Sequence, residues 1–320
     1  LPEWKGLSQL TWIDFDPDAT SVLACGAQLR DPGSTEPDIA RCDEDHRVSR
    51  RDRVASERDL NIVGDPVAVA VIPSSDVGAD VGDFILMLIR DGRVALFLDD
   101  GAGPELIHVA SGFPENLITV TVQPNTGIAW MTAVGSDSIA RVGIIVDEVQ
   151  PLRSFLYDAG ALRLGGVDDG EDTRDLQFDP SRPDTAFVLA RRPEAVIEVD
   201  LERRGLSNID LGVRNVFEVG RGPSRLAMIQ IDGRTYALAS CYDAQRLFVI
   251  DVEYGALVSV VGGFSGPFEI AVDPVAERLY VVDFIVSVIR VVDLSPLRTG
   301  GEPSIIATIG KPNPPHSLID

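Results

Sequence analysis

The chain is short of lysine. Only Lys5 and Lys311 occur in 320 residues, and arginine supplies the other positive charges, a bias that reads as a GC-rich genome. Basic residues number 28 against 50 acidic ones, so the formal charge is −22. Phosphate backbones and anionic lipid demand a basic face, so nucleic acid and acidic membrane surfaces are excluded as partners. The acidity itself reads first as solubility, with calcium binding or a salt-rich habitat behind it. Long apolar runs are also missing. Stretches such as "FILMLI" and "LYVV" are strand-sized and well below the ~18 residues of a spanning helix, so no membrane span is predicted. Residue 1 is Leu, which suggests a processed or trimmed chain from which any signal peptide has gone.

Reactive side chains are few. The three histidines, His46, His108 and His316, are scattered. No G-x-S-x-G, H-E-x-x-H, Walker loop or C-x-x-C is present, which removes those nucleophile, zinc, phosphate-loop and redox classes. Of three cysteines, Cys25 and Cys42 bracket a polar loop and form a disulfide candidate for an oxidising compartment, with free thiols as the alternative. Cys241 ends the run "TYALASC" and reads as a small buried residue.

What is abundant is a repeat. Apolar runs of five to eight residues, rich in Val, Ile, Leu and Phe, alternate with Gly, Pro and Asp turns, while helical periodicity is essentially missing. Six copies of the same order of runs align, beginning at Ser8, Asp65, Pro114, Thr173, Gly222 and Gly266. Four runs per copy predict an all-β β-propeller of four-stranded antiparallel blades, six blades favoured and seven possible. The expected blades are 8–64, 65–113, 114–172, 173–221, 222–265 and 266–310 within one domain, 1–320. Residues 27–58 form a long insertion and 311–320 a tail. A pair of β-sandwiches is the rival fold, disfavoured by the regular period.

The best-kept copy is "GPFEIAVDPVAERLYVVDFIVSVIRVVDL", Gly266 to Leu294. Gly266-Pro267, the turn Asp273-Pro274, Leu279-Tyr280-Val281 and the ending Val291-Val292-Asp293 resemble the repeat of YVTN-type bacterial β-propellers, close also to NHL-type repeats. Asp283 stands where that repeat usually has Asn. The copies from Gly222 and Thr173 match less well and the other three poorly. The resemblance implies a propeller that is secreted, periplasmic or attached to the outer surface of a bacterium; it implies no reaction.

Candidate sites follow from where blade loops gather. The turns between second and third strands should open on the face where each blade starts. Asp137, Arg191, Arg192, Tyr242, Asp243, Asp283 and Phe284 belong to that face, with Glu269 at the channel mouth, and this mixture suits a polar ligand or a protein. The acidic run Asp168, Asp169, Glu171 and Asp172 offers oxygen ligands around Gly170 for Ca²⁺, the one cofactor considered, although EF-hand spacing is absent. His46, in the insertion, is a weaker metal candidate, and the insertion is a candidate partner loop. Recurrent Asp-Pro pairs at Asp16, Asp65, Asp179 and Asp273 read as turns.

The function expected from these readings is non-enzymatic: an extracytoplasmic scaffold presenting loops to a protein or polymer partner. The alternative is a metal-dependent hydrolase or lyase acting on a lactone or cyclic ester. That alternative requires acids or Asn near the channel, for which Glu115, Asn116, Asp175 and Glu269 are available. The oligomeric state has no sequence signal.

Overall fold

The computed structural model describes residues 64–101, 103–164, 172–182, 184–204 and 209–311. Their strands form five four-stranded sheets. The first contains β1 (Pro66–Ile72), β2 (Asp83–Ile89), β3 (Arg93–Asp99) and β4 (Glu105–Ala110); the second β5 (Leu117–Gln123), β6 (Ile128–Ala133), β7 (Ser138–Ile145) and β8 (Phe155–Arg163). The third has β9 (Thr173–Phe178), β10 (Thr185–Arg191), β11 (Glu194–Arg204) and β12 (Leu211–Glu218). The fourth has β13 (Pro223–Ile231), β14 (Arg234–Cys241), β15 (Arg246–Asp251) and β16 (Ala256–Val261); the fifth β17 (Pro267–Asp273), β18 (Arg278–Asp283), β19 (Val288–Asp293) and β20 (Ser304–Ile309). Each sheet is an antiparallel meander of consecutive strands.

The described residues thus form five propeller blades, which corrects the six or seven blades expected. The extra blade was counted from 8–64. That copy shows only two clear apolar runs before the polar insertion, half the strand signal of a blade, and it lies outside the described residues. So do Cys25, Cys42, His46 and the insertion 27–58.

The sheets stack through their first strands: β1 packs on β5, β5 on β9, β9 on β13 and β13 on β17. β17 and β1 make no comparable contact. Four hydrophobic clusters fill the four seams between consecutive blades. Leu86, Leu88 and Leu96 meet Leu117 and Met131. Trp130 and Ile139 meet Leu176 and Val188. Phe187 and Leu189 meet Leu226 and Ile250, and Leu238 and Val249 meet Leu279 and Val292. A smaller cluster of Ile85, Ala95 and Phe97 lies on the other face of the first blade, because neighbouring strand residues point to opposite faces.

This stacking explains the run types. Middle strands are covered on both faces, so β10 and β14 are buried almost throughout and read as unbroken apolar runs. Outer strands β16 and β20 are largely exposed. Each fully buried Leu, Ile or Phe contributes roughly 1.5–3 kcal/mol, so the seams carry much of the stability. Two of the Asp-Pro pairs are turns, as expected: Asp273 accepts the N–H groups of Val275 and Ala276, and Asp179 that of Ser181. Asp65 instead directly precedes strand β1, and Asp16 lies outside the described residues.

Polar locks also cross the seams. The Thr132 hydroxyl on β6 donates to the Arg174 carbonyl on β9, at 3.3 Å. The Ser240 hydroxyl on β14 donates to the Phe268 carbonyl on β17, at 2.7 Å. The Leu226 N–H on β13 donates to Asp175 on β9, at 2.8 Å. All three locks act near the start of an innermost strand, where the side chains of interest lie.

Candidate functional site at the channel mouth

The start of each innermost strand is tied to the turn after the second strand of its own sheet. Val134 N–H donates to Asn116, Arg191 N–H to Asp172, Tyr242 N–H to Gly222 and Phe284 N–H to Gly266, in each case to the backbone carbonyl. The loops grouped on one face by the repeat do therefore share that face. Two glycines allow the close approach. A Cβ on Gly222, whose φ is +67°, would lie 2.3 Å from a carboxylate oxygen of Asp243. One on Gly266 would lie 2.8 Å from the Tyr242 ring.

Ion pairs run across the blades at this mouth. Asp172 accepts the Gly135 N–H from the second blade, at 3.1 Å, and binds Arg174 at 2.9 Å. Arg191 of the third blade faces Asp243 of the fourth at 4.0 Å. Arg225 of the fourth binds Glu269 of the fifth at 2.8 Å. The guanidiniums of Arg191 and Arg225 are each close enough to repel that of Arg174. Burial, then the charges of Arg191 and Arg225, depress Arg174 below the usual arginine range, against the opposing pull of Asp172. The buried Nε–H of Arg174 has no hydrogen-bond partner. Its charge is under-compensated, and an anion at the mouth would relieve it.

The acids divide into two kinds. Asp175 is 3% exposed and accepts the N–H groups of Leu226 and Leu176, both at 2.8 Å. Burial pushes its carboxyl up to about 6, against those hydrogen bonds and the Arg225 charge. It is a structural acid, held almost wholly out of water. Glu269, by contrast, keeps about half of its side chain exposed while Arg225 holds it.

Beside this charged half lies an aromatic half. Tyr242, Phe268 and Phe284 form a triangle with ring centroids 6.1–6.4 Å apart, and the Arg225 guanidinium sits 5.1 Å over Phe268.

Of the residues expected at the site, Arg191, Tyr242, Asp243, Glu269 and Phe284 come together here. Asp283 does not: it is fully buried, accepting the N–H groups of Ser265 and Gly266 at 2.9 and 2.7 Å and Arg290 at 3.3 Å. It closes the start of the fifth blade. Asp137 lies in the turn after β6, bonded to the Ser138 hydroxyl at 3.1 Å, and Arg192 is an exposed turn residue before Pro193. Glu115 and Asn116 are exposed on the same face. In the acidic run, Asp168, Asp169 and Glu171 lie outside the described residues, and Asp172 is engaged by Arg174 and Gly135. Among the described residues no three His, Cys, Asp or Glu side chains converge as metal ligands. The described side chains at the mouth do not fit a channel metal.

Arg174, Arg225 and Phe268 were not expected. The signal was available. Asn116, Asp175, Arg225 and Glu269 each directly precede the first apolar residue of an innermost run, Leu117, Leu176, Leu226 or Ile270. A search for acids alone passes over the arginine in that column. His108 and Cys241 are structural. His108 accepts the Leu156 N–H at 3.2 Å between the first two blades. Cys241 is buried and its thiol is pushed up to about 12, too high for a nucleophile at neutral pH.

Fold and mouth define a β-propeller with a mixed charged and aromatic opening. No family model matches the chain, and no curated protein does. Solved structures do share the fold. A protein from Lactobacillus plantarum superimposes with a TM-score of 0.58 at 15% identity, covering 77% of this chain and 71% of its own. A "putative 6-phosphogluconolactonase" from Bacteroides fragilis gives 0.56 at 18% identity, over 72% and 68%. The periplasmic gluconolactonase of Pseudomonas aeruginosa gives 0.55 at 16% identity, over 78% and 72%. At these identities the likeness is one of fold. The YVTN or NHL repeat type is not what these matches establish.

Proposed function

We propose that the protein hydrolyses a lactone or cyclic ester at the channel mouth. This takes precedence over the scaffold reading. The observation that carries it is a half-exposed carboxylate, Glu269, held on the Arg225 guanidinium, with Arg174 close to Arg225 and Arg191. Two neighbours of similar fold bearing lactonase names support it.

Ring opening needs a base for water and positive charge for the oxyanion. Glu269 accepts a proton from water as its oxygen attacks the carbonyl carbon. The tetrahedral oxyanion forms beside the guanidiniums. Its collapse breaks the ring C–O bond, and the leaving oxygen takes the proton from Glu269. The product is a hydroxy acid. An extracytoplasmic location is proposed with this reading, supported by the word periplasmic in the name of one neighbour. No helix among the described residues is long and apolar enough to cross a membrane.

The test is ester hydrolysis by the purified chain over a panel of γ- and δ-lactones, followed as acid release. At least one lactone is expected to open faster than its spontaneous rate, with kcat lowered about 10²-fold or more in Glu269→Gln at an unchanged melting temperature. If no lactone is opened, the reading falls and the scaffold alternative takes its place.

A further inference from the structure

We infer that the aromatic half of the mouth is a subsite for a flat aromatic group, so that the ligand is an aryl-substituted carbonyl compound and not a bare sugar ring. The subsite lies against the site of the proposed hydrolysis, which it deepens.

The rings are more open than blade packing requires. Phe284 is 62% exposed, Ile285 beside it 45% and Phe268 38%. Phe284 and Ile285 stand in a short turn directly after β18, and the Phe284 N–H donates to the Gly266 carbonyl at 2.8 Å. Apolar side chains grouped in the open beside the ion pairs of the mouth signal a binding role. Their geometry favours one kind of occupant. The three rings are inclined at 51–90° to one another, so both ring faces and ring edges are presented. Edge-to-face and offset contacts of that type are what a further aromatic ring prefers. A polyhydroxylated ring calls for many converging polar groups, and in this half Phe268, Phe284 and Ile285 offer none and Tyr242 a single hydroxyl.

The two halves share one residue. Arg225 lies over Phe268 and binds Glu269, so an aryl group among the rings sets its attached carbonyl beside the guanidinium and the carboxylate.

The experiment uses the full chain and three probes: 3,4-dihydrocoumarin as aryl lactone, δ-valerolactone as its aliphatic counterpart, and the hydrolysis-resistant lactam 3,4-dihydro-2(1H)-quinolinone. Lactam binding is measured by calorimetry and does not depend on turnover. The lactam is expected to bind, and Phe284→Ala, at an exposed position that leaves the core intact, to weaken it about tenfold. The ratio of kcat/KM for the aryl over the aliphatic lactone is expected to fall by the same factor. Absence of lactam binding, or equal binding by wild type and Phe284→Ala, overturns the subsite even if lactones are opened. Phe284-dependent lactam binding without any lactone opening upholds the subsite and overturns the hydrolase reading instead.

Discussion

Asp175 and Glu269 occupy equivalent places in the third and fifth blades, one residue ahead of an apolar run, yet their surroundings differ. Asp175 points into the seam and donated backbone N–H groups surround it. Glu269 stays half in water on Arg225. The environment, not the residue type, separates the structural acid from the candidate base. The arginines follow the same logic. Arg174 is held by Asp172 inside a field of two further guanidiniums. Arg174→Gln removes the under-compensated charge while keeping a similar length. The expected result is a rise in the KM of the lactone that the wild type opens, about tenfold, with a melting temperature equal to or above that of the wild type. Steady-state kinetics and a thermal melt check both.

At the scale of the element, strand starts are positioned by hydroxyls from the neighbouring blade and by glycines that leave room. Ser240 donates to the Phe268 carbonyl and accepts the Arg225 N–H at 3.1 Å, so one side chain steadies both halves of the mouth. Ser240→Ala leaves a carbonyl and an amide without that partner. A loss of about 1–3 kcal/mol is expected in urea unfolding, with Ser240→Thr recovering part of it. Gly222→Ala is expected to be worse for the site than for the core. Its Cβ would strike Asp243 and the left-handed backbone opposes the substitution, at about 1–3 kcal/mol. Displacement of Asp243 from Arg191 is the expected structural consequence, visible as a lost contact in a crystal structure of the variant.

For the whole molecule, stability depends on seams between blades that are not themselves closed units. Asp175 sits in one of them, joining the third blade to the fourth. Its folded-state carboxyl, at about 6, lies above its ordinary value of 3.8, so the folded chain binds the proton more tightly than the unfolded one. Its contribution is therefore most favourable below about pH 4 and is lost as pH rises through about 6. The difference corresponds to about 3 kcal/mol. Denaturant titrations from pH 4 to 7 should show wild type losing about that much relative to Asp175→Asn, and parallel profiles for the two proteins would contradict the assignment.

Much of this architecture is legible without coordinates. Runs of five to eight residues bounded by Asp, Gly and Pro dictate strands and turns through local backbone preference, and the four-run period dictates four-stranded blades. The sharing of one face by the loops at Arg191, Tyr242 and Phe284 follows from the same meander. The number of blades does not. The first repeat has two clear runs, and a count of runs cannot decide which strands pair. Nor could the sequence separate Asp283, buried on Gly266, from Phe284 next to it, or bring Arg225 to Glu269 across 44 positions. Alternation and turn chemistry act between neighbours in the chain and so are written in the sequence. Seam packing, charge compensation and burial act between blades, and only the stacked structure decides them.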